Sequence, residues 1–106
     1  MGRQKEPWWS YVKSIIGQYP ELQREMTSTD EMKNIQKYEA ISNAINKISN
    51  IHPDDYQQRL KVIELVYFKK THNIEGASMI IPCHLNTAGR WQGEFIRIVA
   101  DELQLP

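Results

Sequence analysis

Apolar residues return at intervals of three and four along most of this chain, and no strand-like alternation lasts. That regularity restricts the fold to packed helices. The clearest stripe is Tyr56, Leu60, Ile63 and Tyr67, which share one side of a helix expected over 54–69 and widened by Leu65, Val66 and Phe68. A second, longer stripe runs through Met32, Ile35, Tyr38, Ile41, Ile45 and Ile48. Ser28 and Glu31 precede it at capping-box spacing. Its other face carries Lys33, Lys37, Asn43, Asn46 and Lys47 and is expected to meet solvent.

Before these lies a helix expected over 7–19, with Pro7 at the first helical position, Trp8, Val12, Ile15, Ile16 and Tyr19 as its stripe, and Pro20 as its end. Adjacent residues on a helix point about 100° apart, so one of Trp8 and Trp9 should enter the core and the other stay half exposed. The segment Ser49-Asn50-Ile51-His52-Pro53-Asp54-Asp55 reads as a linker and new helix start, because the residue before a proline is disfavoured in the helical region and Asp suits a first turn. About five helices are expected in all. They divide into an N-terminal helical segment, 1–52, suited to protein interaction, and a C-terminal region, 53–106.

The 106 residues suffice for one modest core, and a chain of this size gains from covering more surface with a partner, so either a homodimer or a domain docked on another protein is expected. Thirteen basic residues balance thirteen acidic ones, and the halves 1–50 and 51–106 carry only +1 and −1. A basic surface must therefore come from local clustering. The single cysteine, Cys83, cannot form an internal disulfide and fits a reducing, cytoplasmic setting. No apolar run is long enough to cross a bilayer, so no membrane partner is expected. Cys83 and His84 are neighbours that point in different directions with no orienting carboxylate nearby in sequence, which argues against an enzyme. The histidines and Cys83 also lack the paired spacing of zinc modules, so neither metal nor cofactor is expected.

The chain becomes specific after Lys70. Asn73 can cap a short helix over 74–81, Pro82 and Cys83 fall in a turn, and a second helix runs from His84 to about Leu103, burying Ala88, Trp91, Phe95, Ile98 and Val99. Small residues Ala77 and Ser78 allow the two helices to approach closely, with Ile81, Cys83, Ala88 and Trp91 as the seam. This is a helix-turn-helix in an all-α fold. Its outward side chains at the start of the second helix are His84, Leu85, Asn86 and Arg90. Arg can pair with guanine and Asn with adenine through two hydrogen bonds each, which makes Arg90 and Asn86 candidate base readers on double-stranded DNA. Thr87, Lys69, Lys70 and Arg97 are candidate phosphate contacts.

Three segments carry a family likeness: Val62-Ile63-Glu64-Leu65-Val66-Tyr67-Phe68, Ile74-Glu75-Gly76-Ala77-Ser78 and Asn86-Thr87-Ala88-Gly89-Arg90-Trp91. Together they resemble the region-4 helix-turn-helix of bacterial sigma factors, and more closely the small phage-encoded transcriptional regulators of the RinA and ArpU type. The resemblance implies an activator that binds promoter DNA beside the host RNA polymerase. Pro82 stands where such turns usually have Gly, His84 where Ser or Thr commonly caps the reading helix, and Gly89 and Gly93 leave part of that helix bare. Two other functions fit the same fold. One is a DNA-packaging protein such as a terminase small subunit, which would assemble as a ring. The other is a helical interaction module without DNA binding.

Overall fold

Proline chemistry shapes the first elements of the computed structural model, which describes residues 7–25, 32–81 and 83–104, the side chains of Met32 and Lys33 excepted. Helix α1 spans Trp9–Gly17 and α2 spans Tyr19–Glu25. Pro20 has no N–H with which to continue α1, and it sits in the first turn of α2, where that donor is not needed. The first helix is thus shorter than expected at both ends: Pro7 and Trp8 lie in a turn before it, and Pro20 ends it from inside the next helix. Trp8 and Trp9 are both half-buried and stacked on each other, ring centres 6.1 Å apart, rather than divided between core and surface.

Helix α3, Met32–Ile51, follows the long stripe, while its expected capping box at Ser28 and Glu31 lies outside the described residues. Its polar face is not uniformly solvated. Lys37 is half-buried, and Lys47 is ion-paired to Glu102.

Helix α4 spans Tyr56–Ile63 and passes directly into a π-helical turn, Glu64–Phe68, closed by the Lys69 N–H donating to the Glu64 carbonyl at 2.8 Å. The start expected at about Asp54 moves to Tyr56: residues 53–55 form a turn in which the Tyr56 N–H donates to the His52 carbonyl at 2.9 Å, and the Asp55 carboxylate accepts from Arg59 Nε at 2.9 Å rather than capping the backbone. The extra residue in the π turn rotates the side chains that follow. Tyr67 joins the main core, and Leu65 faces a second cluster.

Helices α5, Ile74–Ile80, and α6, Leu85–Glu102, complete the six α-helices of the described residues, where about five were expected; these residues contain no strand. The main core draws on every helix except α5. Val12 and Ile16 of α1, Ile41 and Ile48 of α3, Ile63 of α4 and Phe95 of α6 are all within 1% of full burial. The described residues on the two sides of position 52 therefore share one core. A smaller cluster of Val62, Leu65, Ala77 and Ala88 joins α4, its π turn, α5 and α6. Among the described residues no helix is long and apolar enough to cross a membrane.

Candidate nucleic-acid interface

Helix α5 begins where its sequence says it should. Asn73 is extended, and its side-chain Oδ1 accepts from the Gly76 N–H at 2.8 Å, satisfying a donor the helix cannot satisfy internally. Helix α6 is capped less conventionally. His84 is also extended, and its Nδ1 accepts from the Asn86 N–H at 3.1 Å, so the imidazole does what a Ser or Thr hydroxyl does at this position. Pro82, expected in the turn between them, lies outside the described residues.

The seam forms from the expected residues. Ala77 and Ala88 are fully buried against Val62 and Leu65, with Ile74, Ile81, Cys83 and Trp91 packed around them. Ser78 is buried as well, its hydroxyl donating to the Glu75 carbonyl at 2.7 Å. Alanines here let α5 and α6 approach closely. Trp91 and Ile98 are half-buried rather than fully in the core. Arg59 lies over the Trp91 ring, 5.4 Å from its centre.

With Ala88, Phe95 and Val99 turned inward, the first turns of α6 present His84, Leu85, Asn86 and Arg90 to solvent. Arg90 Nη2 donates to Thr87 Oγ1 at 3.4 Å, which makes half-buried Thr87 a support for the arginine. Two turns further on, Arg97 is exposed and lies over the Trp9 ring, 5.2 Å from its centre. Gly93 lies beneath them, and a Cβ there would meet Arg97 Nη1 at 3.4 Å and the Trp9 ring at 3.7 Å, ordinary packing distances. Asn86, Gly89, Arg90, Gly93 and Arg97 thus line one shallow trough along α6, of about 880 Å³, with Trp9 on its wall.

The lysines belong elsewhere. Lys69 lines a separate groove with Tyr19, Tyr56 and Phe68, and its ammonium lies 3.5 Å from Glu64. Lys70 is exposed and takes φ 57° as the chain leaves the π turn.

Glu94 and Asp101 share the trough with the arginines but were not among the candidates from sequence. Their signal was available: each follows an arginine, Arg90 or Arg97, by four residues, one helical neighbour away. Glu94 turns from Arg90 to a different set of partners. One oxygen is 2.8 Å from His52 Nε2 and the other accepts from Arg59 Nη1 at 2.9 Å. Burial works to raise its carboxyl, but the hydrogen bond and charge of His52, followed by those of Arg59, outweigh that and hold it below its ordinary value. Nearby, the Tyr67 hydroxyl donates to Gln92 Oε1 at 2.6 Å, and burial pushes that phenol up to about 12.

Among the described residues no group of three or more His, Cys, Asp or Glu is placed to hold a metal ion. No family model, curated protein or solved structure matches the chain.

Proposed function

We propose that the chain is a transcriptional regulator of the phage type that binds promoter DNA through α5, the following turn and the first turns of α6. One observation carries the reading. A seam of small residues, Ala77 against Ala88, locks α5 onto α6 and leaves His84, Leu85, Asn86 and Arg90 together on the exposed start of the longer helix. Arg90, steadied by Thr87, pairs with guanine, and Asn86 with adenine. Lys69, Lys70 and Arg97 contact phosphates. The likeness of the 61–103 region to sigma region 4 and to the phage regulators supports the same assignment and favours an activator working beside RNA polymerase.

With zero net charge the domain neutralises few phosphates, so binding is weak and is best read at low salt. Selection of bound fragments from a random DNA pool at low salt tests the proposal. Recovery of a defined motif that Arg90→Ala no longer selects is the expected result. An unselected pool for the wild-type chain overturns it.

A further inference from the structure

The charges on the open face of α6 form a pattern with its own logic. Arg90, Glu94, Arg97 and Asp101 alternate in sign and fall within about 60° of arc on an ideal helix. A parallel copy of α6 would set like charges against like. An antiparallel copy sets Arg90 against the partner's Asp101, and Arg97 against the partner's Glu94. Both pairs share one midpoint, between Phe95 and Ile96, so a single two-fold axis satisfies all four contacts at once. Self-complementarity of this kind is what a two-fold interface requires.

Other features of the trough agree. Among the described residues neither Arg90 nor Arg97 has a carboxylate partner within its own chain. Asp101 is exposed, and Glu94, although bonded to His52 and Arg59, keeps lone pairs that can accept from a further guanidinium. Gly89 leaves the surface low, with nothing within 4 Å of where its Cβ would be. Half-buried Ile98 supplies apolar area beside the charges. A chain with no net charge also meets no long-range repulsion from its own copy.

We infer that two copies of this chain associate through an antiparallel pairing of α6, and that Arg90 is shared in alternation between the partner's Asp101 and DNA. The alternation rests on the DNA-reading role assigned to Arg90 above; the pairing does not. Self-association then hides the reading face, and the free monomer is the form that binds DNA.

A charge-swap cycle on the full-length chain, followed by sedimentation equilibrium without DNA, tests the pairing. Arg90→Glu and Asp101→Arg should each weaken the dimer by at least about tenfold, and the double variant Arg90→Glu/Asp101→Arg should recover most of that loss. Circular dichroism confirms that each variant is folded; Asp101→Asn, a milder change, gives the same answer should a reversal unfold the chain. A chain that stays monomeric at every concentration, a dimer indifferent to these changes, or single losses that the double variant does not recover overturns the pairing. Asp101→Asn keeps Arg90, so it should tighten apparent binding to the selected DNA as the dimer weakens. Unchanged DNA affinity in that variant overturns the sharing of Arg90. If the wild-type chain dimerises as described but selects no DNA, the DNA reading and the sharing fall together, and the pairing stands.

Discussion

Lys70 occupies a backbone conformation that glycine adopts without cost. Its φ of 57° follows the π turn, where a helix commonly ends on a left-handed residue, and a side chain there costs about 1 kcal/mol. Lys70→Gly is therefore expected to stabilise the fold by up to about 1 kcal/mol in thermal denaturation and, on the proposed DNA-binding role, to lower DNA affinity by removing a candidate phosphate contact. A loss of stability would mean that the lysine stem, whose Cε passes close beside Gly17, contributes more than the strain costs. The neighbours Arg90 and Trp91 separate reading from folding in the same way. Arg90 is exposed, so Arg90→Ala should leave stability within about 0.5 kcal/mol and weaken specific binding by about 1 to 3 kcal/mol. Trp91 is half-buried beneath Arg59, so Trp91→Ala should cost about 2 to 3 kcal/mol, less than the removal of a fully buried Trp. Denaturant titration of the pair decides it. An unfolded Arg90→Ala beside a silent Trp91→Ala would show that the register of α6 is wrong.

The ends of α5 and α6 show how far local chemistry reaches. Removing the Asn73 cap with Asn73→Ala should destabilise the chain by about 1 kcal/mol, whereas Gly89→Ala, entering open space within a helix, should stabilise it by about 0.5 to 1 kcal/mol. Equilibrium unfolding measures both, and a destabilised Gly89→Ala would contradict the open surface at that position. Helices α5 and α6 were legible in the sequence because stripe, cap and flanking residues agreed over short distances, and α3 because its stripe is long. The break before Tyr19 and the π turn were not, since one depends on how Pro20 starts a new helix and the other adds a residue that no fixed period anticipates. The candidate interface divides along the same line. His84, Asn86 and Arg90 could be placed on the exposed side of α6 once Ala88, Phe95 and Val99 were assigned inward. Trp9 beneath Arg97, and His52 and Arg59 around Glu94, arrive from distant parts of the chain, and no local spacing encodes them.

At the scale of the whole molecule, Glu94 is the residue that ties separate elements together. Its carboxylate joins α6 to His52 beyond the end of α3 and to Arg59 of α4, while Arg59 also holds Asp55 and covers Trp91. Glu102 makes a second tie from α6 to α3, where Lys47, against the opposing effect of burial and with help from Asn43, holds its carboxyl below the ordinary value. Both groups are depressed in the folded chain. Each therefore contributes stability that is present above the unfolded value, 4.5, and is lost as the pH falls through the lower folded value. Glu94→Gln keeps the size of the side chain but removes the charge that His52 and Arg59 hold. The expected outcome is a lower melting temperature at pH 7 and a shallower loss of stability from pH 4.5 downward, with Glu102 supplying what remains of the slope. Thermal melts at pH steps from 7 to 3, run at low protein concentration so that self-association does not contribute, make the comparison. An acid limb identical to that of the wild type would mean that Glu94 is equally at ease in the folded and unfolded chains. The link from α6 to α4 would then rest on buried contacts such as those of Phe95 and Ile96, and the link to α3 on these together with the Lys47–Glu102 pair.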